Sequence, residues 1–311
     1  MPGVPPSRFA YLGPPGTFTE AAMRRLPAAR RGTGVPMRSV PEALDAVRFG
    51  DVDAAVVPIE NSVEGSVPVT LDALVSGDPL VITAEVVLSV SFVLAGRPGE
   101  PINTIASHPH ALAQCRNFLR ANYSSATTVE ALSTSAAASM VADRKADACV
   151  CAPLAAERHF LKHLAENIGD NPYAATRFAL VSRPGAAPPP SGNDLTSLVV
   201  YISHDQVGAL LGVLTELSIR GVNLTRIESR PTGERLGRYA FFLDCTGHVA
   251  DARVGEALMG LKRVCAEVRF LGSFPRDTDE AAIPPPPGLT DRDFGDAKTW
   301  LDRLRANGFG G

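Results

Sequence analysis

Val56-Val57-Pro58-Ile59-Glu60-Asn61-Ser62-Val63-Glu64-Gly65-Ser66-Val67 follows directly on Ala54 and Ala55, and the fold turns on how this stretch is read. The apolar run Ala54–Val57 has the continuous character of a strand buried on both faces. Pro58 lacks an N–H and is expected to end the pairing of that strand. Short polar groups come next (Glu60, Asn61, Ser62, Glu64), then Gly65 and a renewed apolar periodicity through Val67, Val69, Leu71 and Leu74. In an open α/β sheet, the loop leaving the carboxyl end of a strand is where ligands bind. The same cluster would equally serve as a turn and helix cap, with Asn61 or Ser62 holding free N–H groups. The neighbouring stretches decide between the two.

Upstream, Arg8–Leu12 reads as a strand that enters Gly13-Pro14-Pro15-Gly16-Thr17-Phe18-Thr19-Glu20. Thr17 or Thr19 is a good N-cap for the helix that follows. A phosphate loop is excluded, because there is no Gly-Lys-Ser/Thr ending and no Gly-x-Gly-x-x-Gly. What remains is a helix N-terminus suited to a carboxylate. With a helix at Pro41–Phe49, the order strand, helix, strand, helix predicts a right-handed parallel α/β unit.

Downstream, Leu80–Leu94 is a long β-rich stretch expected to cross between two lobes. Asn103–Ser107 is a short strand, and His108-Pro109 opens a helix that puts His110 and Gln114 on one face. Ser133 and Thr134 cap a helix running to Asp143, and Ala146–Ala152 is a buried strand. Its Cys149 and Cys151 are read as core, since their spacing is not that of metal ligands. His159 and His163 are four apart on a predicted helix. With no Glu after the first and no third ligand in evidence, a solvated face is expected and no metal is assigned. Asn171–Val181 brings Thr176 and Arg177 to the entrance of a last strand.

Residues 183–195 form a Pro-, Gly- and Ser-rich linker. Beyond it come strands or helices at Thr196–Ser203, Gly208–Arg220, Asn223–Arg230, Arg238–Cys245, Val254–Val264 and Ala266–Phe270. The order β-α-β-β-α-β is the ferredoxin-like layout. Residues 275–311 are Pro-rich and charged and are expected to stay largely unstructured, with a loose helix at Ala297–Arg305.

The chain has 311 residues and a net charge of -3, which argues against a nucleic-acid or anionic-membrane surface. No apolar run approaches the ~20 residues of a membrane span, and the N-terminus has no secretory pattern. Five cysteines at irregular spacing make no disulfide framework. A cytoplasmic protein is expected.

Taken together, these stretches resemble the prephenate dehydratase family. The resemblance is carried by Gly13-Pro14-Pro15-Gly16-Thr17-Phe18, Pro58-Ile59-Glu60-Asn61-Ser62, Ser107-His108-Pro109, Gln114-Cys115, Ser133-Thr134 and Thr176-Arg177-Phe178. The C-terminal region resembles the family's ACT regulatory domain through Gly208-Ala209-Leu210 and Asn223-Leu224-Thr225-Arg226-Ile227-Glu228-Ser229-Arg230-Pro231. Two positions depart from the family's usual pattern: His110 stands where Gln is common, and Ala174 where Asn is common.

The resemblance implies an α/β fold: a two-lobed, periplasmic-binding-protein-like (type II) catalytic region at 8–182, then the ACT domain at 196–274. Its lobes would be 8–80 with 175–182, and 81–174. The implied reaction is the decarboxylating dehydration of prephenate to phenylpyruvate in phenylalanine biosynthesis, without a cofactor. Thr176 takes the essential catalytic position, with Asn61, Ser107 and Gln114 lining the site. Thr17, Glu60, Ser62, Thr134, Arg177 and Phe178 are the substrate-binding candidates. Glu60 or Glu64 is a candidate proton source. Arg177 is read either as the grip on the pyruvyl carboxylate or as a structural ion pair. In the ACT domain, Gly208, Ala209, Leu210, Asn223, Leu224 and a turn at Glu228-Ser229-Arg230-Pro231 would form a phenylalanine pocket between subunits of a homodimer or homotetramer. Arogenate dehydratase and a non-catalytic amino-acid sensor remain the alternatives.

Overall fold

The computed structural model describes residues 7–202, 207–232 and 239–307. It divides into two compact units. One comprises the described residues up to Leu80 together with Val86–Arg183; the other comprises Val81–Glu85 and the described residues from Pro184 onward.

The first unit begins with β1 (Arg8–Leu12), α1 (Phe18–Arg25), β2 (Thr33–Met37), α2 (Val40–Phe49) and β3 (Ala54–Asn61). β1 pairs in parallel with both β2 and β3. Thr17 and Ser39 cap their helices by accepting from Glu20 N and Glu42 N. β2 is an edge strand that the sequence pattern hides behind Gly34 and Pro36, and an edge is where a proline is tolerated. After β4 (Gly65–Ser66), α3 (Pro68–Val75) and β5 (Val81–Ser89), the chain leaves this sheet.

It then builds a second sheet from β6 (Val93–Gly96), β7 (Thr104–Ser107), α4 (Pro109–Gln114), α5 (Arg116–Asn122), β8 (Thr127–Glu130), α6 (Thr134–Ala142), β9 (Ala148–Cys151), α7 (Pro153–Arg158) and β10 (Lys162–Ala165), before β11 (Ala175–Ser182) returns. The strand orders are β2-β1-β3-β11-β5, with β4 against β3, and β10-β6-β9-β7-β8. This is the two-lobed, periplasmic-binding-protein-like arrangement. β5 lies in the first sheet, so the crossing falls after Ser89 rather than at residue 81.

Three local expectations are corrected. Pro58 does not end β3, which continues to Asn61. A bulge between Arg177 and Phe178 in the pairing with β11 sets Phe178 opposite Pro58, so the missing N–H is accommodated. His159 and His163 do not share a helix face: His159 closes α7 and His163 lies in β10, 3.1 Å from Glu166. Cys149 and Cys151 are wholly buried in an apolar cluster, as core residues.

Asp147 ties the start of β9 to β7. Its carboxylate accepts from Thr104 Oγ1 (2.8 Å), Thr104 N (2.8 Å) and Asn103 N (2.9 Å). The Thr104 hydroxyl first, then those amides, hold it below the usual carboxylate range. A depressed value stabilises the fold above the unfolded carboxylate's pKa of about 3.9 and ceases to as pH falls through the folded one. Asp147→Asn is therefore expected to lower stability to urea at neutral pH, with the deficit shrinking in acid below about pH 4.

The second unit holds β12 (Asp194–Tyr201), α8 (Ala209–Ser218), β13 (Leu224–Pro231), β14 (Tyr239–Thr246), α9 (Ala252–Val264) and β15 (Glu267–Pro275). The order β13-β14-β12-β15 is ferredoxin-like. Leu198, Val200, Val213, Leu217, Leu243 and Leu261 fill the space between sheet and helices. The strand ends expected at Ser203 and Arg238 fall outside the described residues. Glu228, Ser229 and Arg230 are not in a turn. They pair along β14 within β13, whose alternating exposure is that of an edge strand. The helix expected at Ala297–Arg305 is longer: α10 (Asp291–Asn307) begins beside α9, where Asp291 accepts from Ala252 N at 2.8 Å.

Candidate active site

β3 and β11 run antiparallel with Asn61 opposite Thr176 and Glu60 opposite Arg177. Successive side chains of a strand project from opposite faces. Asn61 and Thr176 therefore share one face, and Glu60 and Arg177 share the other. On the first, Asn61 Nδ2 donates to Thr176 Oγ1 at 2.8 Å. The Asn61 carbonyl oxygen accepts from Val63 N (2.8 Å) and Glu64 N (3.1 Å), which fixes the amide's orientation. Since Thr176 Oγ1 accepts from Asn61, its own proton is directed away from Asn61. Thr176 is 9% exposed, so that hydroxyl is shielded from most competing water.

Ser62 clamps the pair from below: its N–H donates to Ala175 O and its Oγ accepts from Ala175 N, both at 2.9 Å. Phe178 is 2% exposed and packs in the core. Arg177 reaches Glu60 at 3.8 Å with 13% of its side chain exposed. It lies on the face opposite Thr176, a placement that suits the structural ion pair of the two readings. Arg177→Gln is expected to cost about 1 kcal/mol of stability after solvent screening, and KM is expected to stay within about twofold of wild type. A large rise in KM without any change in the unfolding midpoint would restore the grip.

The second lobe contributes α4. Glu64 Oε2 lies 2.6 Å from His110 Nδ1, and Gln114 Nε2 donates to Glu64 Oε1 at 3.1 Å. His110 and Gln114 thus do share a helix face, and it meets the loop that follows Asn61. Glu64 is half exposed and bonded to both, the posture of a contact between lobes rather than of a carboxyl buried as a proton source. Ser107 is fully buried, and its hydroxyl donates to Val150 O at 2.6 Å in the neighbouring strand. It stands beneath the start of α4, with its side chain inside the sheet.

The lobes also meet through the Gly13–Glu20 loop. Gly16 adopts φ 93°, and a Cβ there would lie 2.8 Å from Ser135 Oγ. Ser135 Oγ donates to Pro15 O at 2.5 Å. Thr17 donates to Leu12 O, and Gly16 N donates to the buried Glu20 carboxylate, which Arg24 and Arg158 approach. The start of α1 is therefore capped by the chain's own carboxylate. α6 differs: Ser133 Oγ accepts from Ala136 N, and Thr134 is half-buried at the first helical position. Near this loop, burial first, then Glu20, push the Tyr11 hydroxyl up to about 12, so it stays neutral. Sequence reasoning missed Arg158 and Ser135, because what they do depends on the other lobe, and read Glu20 only as the start of a helix. Among the described residues, no group of three His, Cys, Asp or Glu could hold a metal ion.

In the second unit, Gly208 is the N-cap of α8 at φ 82°, with Ala209 and Leu210 in its first turn. Asn223 and Leu224 lie beyond the other end of α8. There they line a cavity of about 440 Å³ with Leu214, Leu217, Ser218, Gly221 and Val222.

A family model described as prephenate dehydratase matches residues 9–186, and one described as ACT domain matches residues 196–263. A prephenate dehydratase of Mycolicibacterium smegmatis is 50% identical over 98% of this chain and 99% of its own. The crystal structure of prephenate dehydratase from Arthrobacter aurescens in complex with L-Phe has a TM-score of 0.90 at 47% identity, covering 96% of this chain and 100% of that one. GqqA, a novel type of quorum quenching acylase, is 31% identical with a TM-score of 0.78, covering 87% and 98%.

Proposed function

The chain belongs to the prephenate dehydratase family and carries an ACT domain behind its catalytic region, and on that premise we propose that Thr176 and Asn61 are its reaction centre. The reaction is that of a hydro-lyase. The bond between the ring and its carboxylate breaks, and its electron pair forms the new ring double bond and expels the ring hydroxyl. One proton converts the departing hydroxide to water, leaving carbon dioxide and phenylpyruvate. The gain of aromaticity drives the step.

The carrying observation is the 2.8 Å bond from Asn61 Nδ2 to Thr176 Oγ1. It leaves the Thr176 proton to be donated elsewhere, which supports a role as donor to a substrate in the cleft. A threonine is too weak an acid to surrender its proton outright at neutral pH. Its hydrogen bond to the leaving oxygen strengthens as negative charge develops there, and one such donor contributes about 3 kcal/mol. The ring carboxylate must lie where it is poorly solvated, since holding it tightly would stabilise the ground state. The pyruvyl carboxylate is assigned to the first turn of α6 at Thr134 and Ser135, since a helix N-terminus favours an anion. Gln114 completes the lining from α4.

The L-Phe complex of the Arthrobacter relative supports phenylalanine as the ACT ligand. Gly208–Leu210 and Asn223–Leu224 stand at opposite ends of a ten-residue helix, about 15 Å apart. We assign the pocket to a junction of two copies, one giving the start of α8 and the other Asn223 with the β13 edge.

An acylase reading, raised by GqqA, needs a base to take the Thr176 proton. Asn61 instead donates to Oγ1, the reverse of what an activated nucleophile requires. Purified protein supplied with prephenate, arogenate and an acylated amine side by side tests the assignment. Phenylpyruvate from prephenate, slowed or raised by phenylalanine, is the expected result. Turnover of the amide alone would overturn it.

A further inference from the structure

We propose that Glu64 is the latch of the cleft, a positioning residue that sets Gln114 of the second lobe against the Asn61–Thr176 pair of the first. The inference rests on that pair being the reaction centre. Glu64 is bonded in two directions. Its N–H donates to the Asn61 side-chain Oδ1 at 3.1 Å, so its backbone belongs to the first lobe's site. Its carboxylate binds His110 (2.6 Å) and Gln114 (3.1 Å) on α4, in the other lobe.

Elsewhere the lobes meet through Ser135, 2% exposed, whose hydroxyl donates to Pro15 O at 2.5 Å, and through the buried Glu20, 3.6 Å from the half-exposed Arg158. Breaking the Ser135 contact would strand a desolvated hydroxyl. The Glu64 contacts are different, because the side chains of Glu64 and His110 are 41% and 64% exposed. Water replaces such bonds at little cost, so this side of the cleft opens and recloses while the other stays shut. Closing the latch draws Gln114 toward Thr176 through one residue, and opening it admits a dianionic substrate.

The test is steady-state kinetics on Glu64→Ala, Glu64→Gln, His110→Ala and the Glu64→Ala/His110→Ala double variant, with thermal unfolding of each. Glu64→Ala is expected to lower kcat about tenfold, as misplacement of a reacting group does, with the unfolding midpoint unchanged. Glu64→Gln keeps both hydrogen bonds, since an amide accepts from Gln114 and donates to the other imidazole tautomer, so it is expected to stay within about threefold of wild type. The double variant is expected to be no worse than Glu64→Ala, because each change breaks the same clasp. Glu64→Gln falling as far as Glu64→Ala would overturn the latch and give the carboxylate an acid's role. Losses that multiply in the double variant, or wild-type kcat in Glu64→Ala, would also overturn it. Wild-type protein inert toward prephenate would instead sink the assignment of the reaction centre.

Discussion

Thr176→Ala is expected to lower kcat by a hundredfold or more, with KM changed by less than about threefold, because it removes a donor that matters only as charge develops. The position is favourable for such an effect. Thr176 is 9% exposed, and a hydrogen bond to a developing anion gains strength where water is scarce. Asn61 spends its donor on Oγ1 and its acceptor on two backbone amides, so it is not placed to replace the lost proton. Thr176→Ser keeps the hydroxyl and the Asn61 bond but frees a rotor that the β-branched methyl restricts. It should retain activity within about tenfold of wild type. Rates of phenylpyruvate formation at saturating and limiting prephenate separate the two parameters. A Thr176→Ala enzyme of normal kcat and raised KM would mean that the hydroxyl only binds substrate.

Gly208→Val is expected to abolish the response to phenylalanine. Gly208 holds φ 82° at the N-cap of α8, a left-handed conformation that a β-branched residue adopts only under strain. Among the described residues, a Cβ there meets nothing within 4 Å, so the variant is expected to act through the backbone at the start of α8 and not through core packing. Moving that loop takes the first-turn amides of α8 away from the ligand's carboxylate. Calorimetric titration with phenylalanine should show affinity weakened by tenfold or more, and activity without phenylalanine serves as the internal control. A variant that lost activity yet kept its response would contradict the ACT assignment.

Much of this architecture was legible because local signals agreed with the tertiary outcome. Arg8–Leu12 was legible as β1. Thr17, Ser133 and the small residues around Gly208 announced helix starts, and the βαββαβ order named the regulatory fold. Failures came where an element's role lies in its neighbours. Pro58 looks like a strand terminator because its missing N–H is visible in the sequence, whereas the bulge that absorbs it depends on the register of β11, more than a hundred residues away. Arg177 looks like a site residue because it adjoins Thr176 in sequence, yet adjacency in a strand puts it on the opposite face. Ser107 sits at a strand-to-helix junction as a site hydroxyl should, but its donor is taken by Val150 O within the sheet. The contacts of Glu64 with α4 and of Glu20 with Arg158 were beyond reach for the same reason, being made across the lobes. The region after Phe274 was judged by composition, and its Pro-rich start hid the first turns of α10, of which Ala297–Arg305 reads as a loose helix.

The central claim is that Asn61 aims the Thr176 hydroxyl at the oxygen that leaves. A double-mutant cycle in kcat, with Asn61→Ala, Thr176→Ala and both together, tests it most directly. The account predicts that Asn61→Ala slows the wild-type enzyme severely but adds almost nothing once Thr176 is alanine. Full multiplication of the two losses would show that the residues act independently, and would contradict it.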